Sequence, residues 1–172
     1  KGAFNGARDW GVGQGVAAMN LLDQLTHSKL AWQGIFPELV LFDCHACHKP
    51  MTAGSWKSRP GTGLGPGVVR LNDANLVVYR YVLGLVDAGG SARLLQETRA
   101  LHQATTQSRE ATFAAAKKLR GTIDGSLQRV SDFSFDASAL GKIVGAISAD
   151  ADRGEFNDYS AAEQAAMAAQ SV

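Results

Sequence analysis

The chain has 172 residues, enough for one domain with a buried core. Apolar residues make up 45% and charged residues 19%, a balance that excludes a disordered chain. Lys and Arg number 17 against 16 Asp and Glu, a net charge of +1 that points to neither a nucleic-acid footprint nor an acidic tail.

The first helical segment is expected from about Ala7 to Leu30, with Asn5 as its cap. Trp10, Val16, Met19, Leu22 and Leu25 recur there at threes and fours. Gly11, Gly13 and Gly15 weaken its first turns. Glycines two apart do not share a helix face, so no single close-approach groove is expected from them. Trp32 to Asp43, with Pro37 and then Leu39-Val40-Leu41-Phe42, reads as a short apolar helix or an extended arm. From Lys49 to Val68, Pro50, Pro60 and Pro66 with Gly61, Gly63, Gly65 and Gly67 predict a long loop. A second helix follows from about Asn75 to Val86, capped by Asn72 or Asp73 and broken by Gly89-Gly90. A third runs from near Ser91 to Arg120 or beyond, with Leu94, Leu101, Phe113 and Leu119 among Ala and Thr. A fourth runs from Ala137 to Ala149 behind Asp136, and a fifth opens at Ser160 in a Ser160…Glu163 capping box. The expected fold is all-α, one domain over residues 1–172, with four or five helices and a long Pro/Gly-rich loop. No apolar run reaches the length of a membrane span. No signal peptide is visible, and Lys1 opens the chain where Met is expected. We therefore expect a fragment of a longer protein.

Both cysteines lie in Cys44-His45-Ala46-Cys47-His48. Two thiols with two residues between them suit a redox disulfide, half of a zinc site, or haem attachment. The His directly after the second Cys favours haem c. Two thioethers on adjacent pyrrole edges fix the segment against the ring, and the next side chain reaches the iron. A structural zinc site wants four protein ligands, and no second Cys pair exists. A thioredoxin-like motif wants a βαβ context that the pattern lacks. The expected cofactor is thus haem c on Cys44 and Cys47, with His48 as proximal ligand. The Gly65-Pro66-Gly67 turn is similar to the Gly-Pro turn of small class I cytochromes c.

The distal ligand is open among His27, His45, His102, Met19, Met51 and Met167. Met51 is too close in sequence to cross the ring, and His45 points away from its own iron. His102 is preferred, because its helix carries small neighbours, and His27 is the next candidate. Paired imidazoles favour a low potential and electron transfer, whereas a missing sixth ligand leaves room for a small molecule. Trp32, Phe36, Phe42 and Trp56 are candidates to wall the porphyrin. Asp150-Ala151-Asp152-Arg153-Gly154 with Asp158 and Glu163 misfits a calcium loop in the place of both its Gly and its closing Glu, and reads as a helix–helix connection. Gly61 to Gly67 lacks the Lys-Ser/Thr of a phosphate loop.

Residues 7–17, then Phe36-Pro37-Glu38, then Phe42 to Met51, resemble the C-terminal part of multihaem c-type cytochromes. The group includes the tetrahaem cytochrome of ammonia oxidisers and relatives of hydroxylamine oxidoreductase. Cys44, Cys47 and His48 match its haem motif, while Lys49 stands where many relatives have a second His. The resemblance implies further haem motifs upstream of Lys1. It also implies an electron carrier that works with a redox protein, a neighbouring haem domain or a larger complex. Covalent haem attachment implies a periplasmic or extracytoplasmic site. The alternatives are a five-coordinate haem enzyme or gas sensor, and a haem-free helical subunit with a metal or disulfide at the motif.

Overall fold

Asn5 is the cap of helix α1 (Gly6–Thr26): its side chain accepts from the Arg8 amide at 2.9 Å. The structure, a computed structural model, describes residues 5–27, 34, 38–43, 59–65 and 68–171. Among these residues the chain is all-α. A single 3-10 turn (Leu39–Leu41) is followed by α2 (Ala74–Val86), α3 (Ala88–Thr105), α4 (Arg109–Asp132), α5 (Ala137–Asp152) and α6 (Tyr159–Ser171).

Helix α2 is the centre of the fold and packs against each of the other five helices. Its sequence is apolar almost all round, the signature of a buried helix. Leu76, Val77, Val78, Tyr79, Tyr81, Val82 and Leu83 are all buried. The Tyr79 hydroxyl is satisfied inside the core by Ser126 Oγ of α4 at 2.6 Å.

Helix α1 crosses α2 on its glycines. A Cβ on Gly11 would stand 2.9 Å from Val82 Cγ1, and one on Gly15 would stand 2.7 Å from Leu127 Cδ2 and 2.8 Å from Tyr79 Cε2. Gly13 meets nothing within 4 Å. The expectation of no close-approach groove is corrected: Gly11 and Gly15 are four apart, share a face, and let the α2 and α4 side chains reach the α1 backbone.

The run expected from Ser91 to Arg120 is two helices, which raises the number to six. The break is Thr106–Ser108, where the Thr106 amide turns back to the Gln103 carbonyl at 3.1 Å. Ser108, extended at φ −156, ψ 164, caps α4 by accepting from the Ala111 amide at 3.1 Å. Helices α3 and α4 then pack antiparallel, with Leu94, Leu101, Ala116, Leu119 and Ile123 in the common core. Gly89 and Gly90 do not break α2; they lie in the first turn of α3. Asp87 is the boundary, accepting from the Gly90 amide at 2.7 Å, and a Cβ on Gly90 would stand only 2.6 Å from that carboxylate.

Asp136 caps α5 as expected, accepting from the Ala139 amide at 2.8 Å. The box expected at Ser160 is corrected to Asp158, whose Oδ1 accepts from the Ala161 amide at 2.7 Å. The expected ends of α1 at Leu30 and of α5 at Ala149 become Thr26 and Asp152. Most of the expected Pro/Gly-rich loop lies outside the described residues; 59–65 and 68–73 are irregular chain that leads into α2.

Candidate functional site

Two short extended pieces meet ahead of α2. Phe42 and Leu71 form an antiparallel bridge. The Asp43 amide donates to the Arg70 carbonyl at 2.8 Å, and the Asn72 amide donates to the Leu41 carbonyl at 2.9 Å. Asp43 immediately precedes Cys44, so this pairing fixes the N-terminal root of the cysteine motif.

The side chains at that root enter a buried ion cluster. Arg70 NH2 donates to Asp43 Oδ2 and to Asp158 Oδ2, both at 2.7 Å. Arg59 reaches the same Asp158 oxygen at 3.4 Å, pairs closely with Asp73, and lies 4.0 Å from Glu155 Oε2. Arg59, Arg70, Asp43, Asp73 and Asp158 are all buried. Residues 44–58, which hold the motif, therefore leave from Asp43 and return at Arg59 beside one shared carboxylate.

Helices α3 and α6 complete the cluster. His102 Nε2 lies 2.9 Å from Asp73 Oδ2, and since an ionised carboxylate only accepts, Nε2 carries the proton. Asp73 begins α2 without a side-chain cap; its Oδ2 instead accepts from both Arg59 and His102. Asp158 divides its oxygens between the α6 cap and the two arginines. Glu155 Oε2 accepts from the Gly61 amide at 3.1 Å, and a Cβ on Gly61 would stand 2.5 Å from it, so only glycine allows this approach.

The electrostatics follow from burial against partners. Burial opposes ionisation of Asp73, but Arg59, then His102 and Arg70, outweigh it and hold the carboxyl well below the usual range. At Asp158 burial prevails over Arg70, the Ala161 amide and Arg59, and raises the carboxyl. Arg59 is raised: burial opposes its charge, and Asp73, Asp158 and Glu155 overcome that. The cluster clamps segments together. Among the described residues it offers no free nucleophile.

Of the expected site residues, Cys44, Cys47 and His48 lie outside the described residues, as do His45, Met51, Trp32, Phe36 and Trp56. His102 lies in the last turn of α3, buried, with Nε2 committed to Asp73. Nδ1 is the nitrogen it has left for a metal; that atom is buried and has no hydrogen-bond partner among the described residues. His27 is exposed at the C-terminal cap of α1 and takes no part in the cluster. Met19 is half-buried against the core and Met167 is exposed on α6. Among the described residues no three His, Cys, Asp or Glu side chains converge as a metal site. Asp150 and Asp158, weighed above as parts of one acidic loop, turn to different arginines: Asp150 to Arg80 and Arg153, Asp158 to Arg59 and Arg70.

Arg59, Arg70, Asp73 and Glu155 are not singled out as site residues by the sequence. A cation in a Pro/Gly stretch reads as solvated, and only Asp73 stands out, as a cap. No family model, curated protein or solved structure matches the chain. No described helix is long and apolar enough to cross a membrane.

Proposed function

We propose that the chain is an electron-transfer c-type cytochrome, or the part of one that carries a haem on Cys44 and Cys47 with His48 on the iron. The observation that carries this reading is Cys44-His45-Ala46-Cys47-His48, where two thiols and the adjacent imidazole match the donors a haem c requires. When bound, the haem supplies a reversible one-electron iron couple. The protein's part is to hold the ring and set its surroundings.

Two structural features support that part. Asp43 and Arg59 are pinned to the same buried cluster, so both ends of the motif-bearing segment start from fixed positions, which suits a precisely held group. Leu39 (63% exposed), Val40 (84%), Val68 (39%) and Val69 (44%) flank the Phe42/Leu71 pairing and offer apolar surface for a flat apolar ring to cover. The distal ligand on this reading is His102 through Nδ1, with Asp73 orienting the ring from the other nitrogen, or else His27. Electrons would pass to a redox protein or a neighbouring haem, in the periplasm or another extracytoplasmic site where haem is attached.

The test is expression in a host that matures c-type cytochromes, followed by intact mass and a pyridine haemochrome spectrum. A mass increase of one haem that survives denaturation is the expected result. Free thiols, or thiols joined only to each other, overturn the reading. Six-coordinate low-spin iron supports electron transfer, and high-spin iron favours the enzyme or sensor alternative. His102→Ala turning low-spin iron high-spin assigns the distal side to His102; the same change in His27→Ala assigns it to His27.

A further inference from the structure

We propose that the cleft between α2 and α5 binds a small extended anion with two acidic groups, of the diphosphate type. The cleft has a volume of about 360 Å³. One wall is a single stripe of α5 and its C-terminal cap: Lys142, Ala146, Ala149, Asp150 and the cap residue Arg153, spaced four, seven, eight and eleven residues from the first. That spacing keeps them on one face, with Lys142 and Arg153 about 16 Å apart along the axis at about 1.5 Å per residue. The facing wall is α2, which contributes Arg80 and Tyr81.

Three cations thus line the cleft against the single carboxylate of Asp150. That carboxylate is 4% exposed and already saturated: Oδ2 accepts from Arg80 NH2 at 2.6 Å and from the Tyr81 hydroxyl, and Oδ1 accepts from Arg153. It acts as a fixed counter-ion that orients both guanidiniums, leaving an excess of two positive charges. Each guanidinium has five N–H donors, so neither is used up by one carboxylate. Arg153 is 64% exposed. Lys142 is exposed, and no hydrogen bond or ion pair ties its amine among the described residues. Between the cations the α5 wall is Ala146, Ala149 and the Asp150 carboxylate already held by Arg80, Tyr81 and Arg153, so no bulky side chain of α5 obstructs a ligand lying along the stripe. Lys142 and Arg153 leave that wall about 16 Å apart, and long Lys and Arg side chains can close most of such a separation. An extended molecule with two acidic groups can engage both cations at once, which a single phosphate does less well. Charge-assisted hydrogen bonds from Lys and Arg are the strong kind for such oxygens.

The experiment is calorimetric titration of the full chain with pyrophosphate and, separately, inorganic phosphate at low ionic strength. One saturable site is expected for pyrophosphate, tighter than for phosphate, with dissociation below about 1 mM. Lys142→Ala and Arg153→Ala should each weaken pyrophosphate about tenfold, and Lys142→Ala should also erase its advantage over phosphate. Both side chains are exposed, so the variants keep the fold, and an unchanged urea midpoint verifies it. Lys117→Ala, an exposed cation on α4, serves as the control and should change nothing. Absence of saturation, equal affinity for the two anions, or equal weakening by Lys117→Ala overturns the assignment.

Discussion

Arg59→Met removes the cation at the centre of the buried cluster while keeping most of the side-chain volume. Asp73 then loses its principal partner, and Asp158 and Glu155 lose a shared one. Taking one partner from a buried pair costs about 3–5 kcal/mol, because the charge left behind is uncompensated. For a chain of this length that lowers the melting temperature by roughly 6–20 °C. The pH dependence separates this cause from a packing defect. In the wild type Asp73 is held below its ordinary value of 3.8, so it contributes stability above that value and loses the contribution as pH falls through the folded one. In the variant, burial, the largest single influence on Asp73, is opposed only by His102 and Arg70, and the folded value is expected to rise above the unfolded one. The ionised carboxylate then opposes folding at neutral pH, and the penalty fades on acidification. The gap between wild type and variant should therefore be widest near about pH 7 and narrow toward about pH 4. Urea unfolding followed by circular dichroism across that range measures it through the midpoint at constant slope. A gap under about 1 kcal/mol at neutral pH, or one that stays constant with pH, refutes the role given to Arg59.

Three further outcomes are expected. Gly15→Ala drives a methyl into Tyr79 and Leu127 and should destabilise by about 1–3 kcal/mol, whereas Gly13→Ala, with nothing within 4 Å, should stabilise by up to about 1 kcal/mol. Urea midpoints of the same sign for the two variants would refute the α1–α2 contact. Asp136→Ala removes the acceptor of the Ala139 amide and should cost about 1 kcal/mol, while Asp136→Ser should restore most of it. In matured protein Cys44→Ala should leave one thioether, read as a shifted haemochrome band; an unshifted band refutes attachment at Cys44.

The helices are legible where the signal is local. Asn5 and Asp136 can be read because a cap needs only a short side chain and an amide three residues on. The Ser160 box fails on the same logic, since Asp158 offers the identical bond two residues earlier and also pairs with Arg59 and Arg70. The break at Thr106–Ser108 carries no Gly or Pro, so an Ala/Thr-rich run reads as continuous. The Gly11/Gly15 groove is hidden because a spacing of two draws the eye while the packing uses four.

The ion cluster is a different case, because no local pattern encodes it. Its members come from the residue before the motif, the loop after it, the start of α2, the end of α3 and the approach to α6. Each alone reads as a solvated charge, and burial of any one is unfavourable until the others are in place. The cluster therefore forms only when the helices have packed, and breaking one pair is felt in all the segments that meet there. That dependence joins the two halves of the chain. The motif and its flanks carry the chemistry legible in the sequence; the start of α2 supplies Asp73, and the second half supplies Glu155 and Asp158, which with Asp73 hold Arg59 and Arg70, and His102, which holds Asp73. A helical second half that resembles nothing by motif thus has a physical role, since it provides the buried charges that anchor the segment on which the redox reading rests.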